Sequence, residues 1–120
     1  MDVLYAVVTG AVEATIGIKV LRGNFEGTIT AHTGSIQKRI VLYDSKIAGI
    51  RTRDGGFLRL MRHAVSVSVN DVLTIEAKTG DGKSVRRIDF TPKGNSYSED
   101  TITVGTTMVS VVVAWSFMEP

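Results

Sequence analysis

The sequence predicts an all-β protein, an antiparallel β-sandwich of about eight or nine strands with a closed β-barrel as the alternative. Three observations carry that prediction. Val12, Ala14, Ile16, Ile18 and Val20 recur at strict period two, which places five apolar side chains on one face of an extended chain. The same alternation returns at Val65-Val67-Val69, Leu73-Ile75-Ala77 and Val109-Val111-Val113-Trp115. No segment sustains an apolar stripe at helical spacing for three turns.

Taken in order, the first strand runs from about Leu4 to Leu21 with a break near Thr9-Gly10, and Arg22-Gly23-Asn24 turns the chain into Phe25. Glu26 to Ala31 is the second strand. Thr33-Gly34-Ser35 turns again, and Lys38 to Tyr43 forms a third strand closed by Asp44-Ser45. Its apolar residues are contiguous, so both of its faces are expected to be covered. Arg53-Asp54-Gly55-Gly56 supplies the positive φ of a tight turn before the short strand Phe57-Leu58-Arg59-Leu60. Ala64 to Val69 and Val72 to Ala77 follow, and Thr79-Gly80-Asp81-Gly82 joins the latter to Ser84 to Phe90 as the clearest hairpin of the chain. Pro92 to Asp100 reads as the longest loop, exposed and mobile. Thr107 to Phe117 is the last strand, and Val111-Val112-Val113 within it suits a central strand or a subunit contact.

A chain of 120 residues is expected to form one domain, residues 1–120, with a core that needs no cross-link. It has no cysteine, and Met1-Asp2-Val3-Leu4-Tyr5 lacks a basic leader, so the expected location is cytoplasmic, with the nucleus as alternative and no membrane partner. The net charge is only +2, but the basic residues gather between Lys38 and Lys93. That asymmetry fits either solvated strand faces or a surface that meets phosphate.

The residues supply little chemistry. His32 and His63 have no second ligand at a zinc-binding spacing. No serine occupies a Gly-x-Ser-x-Gly elbow, and the glycines, each read as a turn residue, form no phosphate-binding motif. Glu13, Glu26, Asp44, Glu76 and Asp89 mostly alternate with apolar neighbours and are expected to face solvent. Asp44-Ser45 with Asp54-Gly55 offers too few oxygens for calcium. The expectation is a protein that is not an enzyme and uses no metal or cofactor.

Ala11-Val12-Glu13-Ala14-Thr15-Ile16, Phe25-x-Gly27-x-Ile29-Thr30-Ala31-x-Thr33, Ile40-Val41-Leu42-Tyr43-Asp44-Ser45, Gly56-x-Leu58-x-Leu60-x-Arg62-x-Ala64-Val65-Ser66-Val67 and Val113-Ala114-Trp115-Ser116 occur in that order. Together they resemble the C-terminal half of a grass-specific domain of unknown function. That domain also occurs fused behind the N-glycosylase domain of jasmonate-induced ribosome-inactivating proteins of cereals. The resemblance implies a plant origin, a link to stress or defence, and a β-rich module with no assigned activity and no transferable catalytic residue. The family's usual N-terminal half, with its Tyr-Gly and Arg-Asp-bearing strands, has no counterpart here, so the chain is expected to be a short form with an edge or apolar face left to cover. The stacking tyrosines and helical acid-arginine pair of the N-glycosylase are missing too, and depurination is not expected.

The leading functional expectation is a module that works by protein-protein contact, with a second copy of itself or another protein. Met108, Val109, Val111, Val112, Val113 and Trp115 are the candidate interface. The alternative is an RNA- or ribosome-associated accessory domain contacting anions through Arg59, Arg62, Arg86 and Arg87, near Phe57 and Phe90, which are themselves expected in the core. A carbohydrate-binding module is a further alternative, for which Tyr43, Tyr97 and Trp115 are few and scattered.

Overall fold

A computed structural model describes residues 11–23, 25–34, 39–48, 56–58, 60, 62, 64–94 and 96–117. They form β1 (Ala11–Arg22), β2 (Gly27–Thr33), β3 (Ile40–Asp44), the single-turn helix α1 (Ser45–Ala48), β4 (Ala64–Ser68), β5 (Leu73–Thr79), β6 (Val85–Phe90), β7 (Ser96–Val104) and β8 (Thr107–Phe117). Two antiparallel four-stranded sheets result, in the orders β4-β1-β8-β7 and β3-β2-β5-β6. The protein is an open sandwich and not a closed barrel.

Period-two patterning builds the core directly. Val12, Ala14, Ile16, Ile18 and Val20 of β1 and Val109, Val111, Val113 and Trp115 of β8 point inward from the first sheet. Ile29 and Ala31 of β2, Leu73, Ile75 and Ala77 of β5, and Ile88 and Phe90 of β6 meet them from the second. Burial of these side chains, at about 1.5–3 kcal/mol for each Val, Ile, Leu or Phe and less for each Ala, is the main stabilising contribution. In β3 the register shift opposite Ile29 and Thr30 lets adjacent Leu42 and Tyr43 both turn inward, while Val41 stays exposed. The Phe25 and Tyr43 rings meet at a centroid separation of 5.9 Å.

Several expectations are corrected. Ser96 to Asp100, expected in a loop, belongs to β7, which pairs with β8 from Ser96↔Trp115 to Val104↔Thr107. Its polarity is that of an edge strand with most of its side chains exposed. Asp44-Ser45 does not simply end β3 but starts α1, with Asp44 Oδ1 accepting from the Lys46 N–H at 3.0 Å as a cap. Phe57, expected in the core, is 66% exposed, whereas Phe90 is buried as expected. Two glycines lie in strands, where the strand bounds read from the sequence also place them, so not every glycine serves a turn. Gly17 sits inside β1, and Gly27 begins β2 at φ 153°, where a Cβ would stand 1.9 Å from the Lys78 carbonyl oxygen. The expected strand from Leu4 to Gly10, the Arg53-Asp54-Gly55 turn and His63 lie outside the described residues.

Candidate self-association face and the cleft at the loop end

Strand register fixes what the sheet β4-β1-β8-β7 presents outward. One cross-strand row is Tyr97, Ala114, Thr15 and Ala64; the next is Glu99, Val112 and Gly17; a third is Thr101, Ser110, Lys19 and Phe57. The centre is small and uncharged, and a Cβ built on Gly17 meets nothing within 4 Å. Charges stand at the margins: Glu13 toward one end of β1, Lys19 toward the other, and Glu99 on β7 taking a hydrogen bond from the Ser110 hydroxyl at 3.0 Å. Exposed rings occupy opposite corners, Tyr97 at 70% and Phe57 at 66%, and the Lys19 ammonium lies 5.8 Å from the Phe57 ring centroid.

The six candidate interface residues divide by parity. Val109, Val111, Val113 and Trp115 are at most 3% exposed because they face the second sheet, so they form the chain's own core and offer no outer contact. Met108 and Val112 point outward and are half-buried, joined there by Ala114 and Thr15. Of the carbohydrate-platform candidates, Tyr43 and Trp115 are buried and only Tyr97 is exposed.

The candidate anion-contact residues are not brought together. Arg59 lies outside the described residues, and Arg62 is exposed beside β4. β6 lies against β7, at the other end of the sheet from β4, so Arg62 is separated from Arg86 and Arg87 by about three strand spacings, roughly 14 Å. Arg86 and Arg87 point to opposite sides of β6. Arg86 Nε donates to the Thr103 carbonyl of β7 at 3.1 Å. Arg87 Nε lies 3.3 Å from the Glu76 carboxylate on the outer face of the second sheet.

Glu76 corrects the expectation that the listed strand acids face water: it is 8% exposed, closed over by Arg87 and Arg39. Burial pushes its carboxyl up, but the hydrogen bond and charge of Arg39, with those of Arg87, more than offset this and hold it below the usual range. Nearby, the Thr74 hydroxyl donates to Asp89 at 2.8 Å, and His32 Nδ1 is buried without a hydrogen-bond partner among the described residues.

At the end of the sandwich where β1 passes to β2, β5 to β6 and β7 to β8, the turns enclose an open cleft of about 560 Å³. Buried Phe25 and Val104 contribute to its wall, and Thr79, Ser84, Thr106 and Thr107 line it with hydroxyls. The β5–β6 turn is braced by Asp81, whose carboxylate accepts from the Lys83 N–H at 2.9 Å and the Thr79 hydroxyl at 2.7 Å. Those bonds, the Lys83 one foremost, hold Asp81 below the usual carboxylate range. Sequence reasoning missed this cleft, because its residues come from four separate connections that only the strand order gathers. Among the described residues, no group of three or more His, Cys, Asp or Glu side chains is placed to hold a metal ion.

Residues 1–113 match the profile of a domain of unknown function, DUF6598. The chain belongs to the DUF6598 family. The match ends at Val113, within β8, so it takes in both sheets and all the turns around the cleft. No curated protein matches this DUF6598 chain.

Proposed function

We propose that this DUF6598 chain is a non-enzymatic module that pairs with a second copy of itself through the outer face of the β4-β1-β8-β7 sheet. The observation that carries the proposal is the self-complementarity of that face. Glu13 and Lys19 lie on one side of β1, six residues or roughly 20 Å apart. A two-fold axis crossing the strands at the level of Ile16 sets Glu13 of one copy opposite Lys19 of the other, twice. The same operation lays Ala114 on Val112, Thr15 on Gly17 and Tyr97 beside Glu99, and keeps the two Glu99 carboxylates at the β7 margin, each held by its own Ser110 hydroxyl. A four-stranded face of this size is at the low end of specific interfaces, so the pairing is reversible, with a dissociation constant in roughly the micromolar range.

The sequence resemblance to the cereal domain found behind N-glycosylase domains supports a plant stress or defence setting, and the lack of cysteine fits action in the cytoplasm. Light scattering over a concentration series tests the pairing. The mass should rise from one chain to two, and Val112→Glu should hold it at one chain without changing the circular dichroism. A monomer at every concentration overturns the reading.

A further inference from the structure

Beside the large cleft, the β5–β6 and β7–β8 turns enclose a notch of about 230 Å³ lined by Lys83, Ser84, Val85, Arg86, Thr103 and Gly105. Its charge is one-sided: Lys83 and Arg86 are cations, and none of the six carries a carboxylate. Arg86 is pre-positioned, because its Nε–H is spent on the Thr103 carbonyl at 3.1 Å and the rest of the guanidinium has no ion pair among the described residues. The main chain of Lys83 is held by Asp81, while its ammonium has no carboxylate partner among the described residues. A planar fork, an ammonium and the hydroxyls of Ser84 and Thr103 match the donors that a tetrahedral oxyanion requires.

The notch opens toward the large cleft, with Ser84 and Gly105 lining both. Gly105 keeps that passage clear: its φ is +62°, and a Cβ there would stand 3.2 Å from Thr79 Cγ2 and 3.9 Å from Ser84 Oγ. Beyond it lie the hydroxyls of Thr79, Thr106 and Thr107, the carboxylates of Glu26 and Asp81, and Lys46. Such a wall accepts and donates hydrogen bonds to a hydroxylated ring, and its two carboxylates against one ammonium disfavour a second anionic group. We propose that the notch and cleft together bind a small sugar carrying one phosphate or sulfate ester, with the ester between Lys83 and Arg86. The carboxylates beside the passage disfavour a polyanion such as RNA at this site.

Amide shifts of the isotopically labelled chain test the proposal at constant ionic strength. The probes are inorganic phosphate, glucose 6-phosphate, glucose 6-sulfate and unmodified glucose, with sodium chloride as control. Saturable shifts should appear at Lys83 to Arg86 and at Thr103 to Gly105 with inorganic phosphate. Glucose 6-phosphate or glucose 6-sulfate should bind about tenfold tighter than inorganic phosphate and extend the shifts to Thr79 and Thr106. The tighter of the two identifies the natural ester. Lys83→Gln should weaken binding about tenfold, and since that ammonium makes no ion pair among the described residues, an unchanged thermal unfolding midpoint should accompany the loss. Shifts that chloride reproduces, or unchanged affinity in Lys83→Gln, overturn the oxyanion site. Equal affinity for inorganic phosphate and both esters overturns the role of the cleft.

Discussion

At the residue scale, Glu76 shows how a polar side chain on an outward position becomes buried. Position 76 pairs with Arg87 across β5–β6 and with Thr30 across β2–β5, and Arg39 reaches over from beside β3. The depressed carboxyl makes the sign of its pH dependence definite. Its folded pKa is below its unfolded value near 4.5, so its contribution is fully present above that value and is lost as the pH falls through the folded pKa. Urea titrations of wild type and Glu76→Gln should differ by about 1.5 kcal/mol at pH 7 and converge on acidification below the carboxylate range. Two glycines give a second contrast. Gly27→Ala forces a methyl onto the Lys78 carbonyl and should cost at least about 2 kcal/mol, whereas Gly17→Ala enters open space on an extended strand and should gain about 0.5 kcal/mol. Thermal unfolding of the two variants checks both signs.

At the scale of elements, β7 depends on β8 through more than its ladder. The buried Trp115 indole N–H donates to the Ser98 hydroxyl at 3.2 Å, tying an edge strand to the core. Ser98→Ala should cost about 1–2 kcal/mol by stranding that donor, and Trp115 fluorescence should report the loosened edge in denaturant titrations. The outer edge of β7 is partly closed: Asp100 accepts from the Thr101 N–H at 2.8 Å, and Arg86 covers the Thr103 carbonyl. That is how an exposed edge avoids pairing with other strands.

This strand also marks the limit of what alternation reveals. β1, β5 and β8 have one buried face each, so period two names them and their inward residues directly. Only Ile102 and Val104 of β7 carry an apolar signal, because Ser96, Ser98 and Asp100 occupy its remaining inward register positions. Phe57 misleads for the opposite reason: it is large and apolar, yet its bridge to Lys19 sets it on the outer face. For the candidate face, the sequence offers Val112 only together with Val111 and Val113, and separating it from them requires knowing which side the second sheet lies on. The cleft was not legible at all, since Phe25, Ser45, Thr79 and Gly105 are far apart along the chain and meet only through the order of the strands.

At the scale of the whole molecule, the two outer faces differ in kind. The face of β3-β2-β5-β6 carries Arg39, Glu76, Arg87 and Asp89, engaged in local pairs and hydrogen bonds, and the exposed Lys78. The face of β4-β1-β8-β7 has an uncharged centre with opposite charges at the two ends of β1. Only the second has a centre that its own image can cover without burying a charge there, because Glu99 stands on the edge strand β7 and is held by the Ser110 hydroxyl. Charge reversal isolates that geometry from simple loss of surface. Glu13→Lys sets a lysine against Lys19 of the second copy at two symmetric places, and Lys19→Glu sets a glutamate against Glu13; either should weaken the dimer about tenfold or more. The double reversal restores opposite charges across the two-fold axis and should recover most of the affinity, although each chain then carries two changed residues. Sedimentation equilibrium at low salt reads all four proteins on one scale, and added salt should compress the differences. A double variant no tighter than the single variants would place the contact elsewhere, because only an antisymmetric pairing of Glu13 with Lys19 makes the two substitutions compensate.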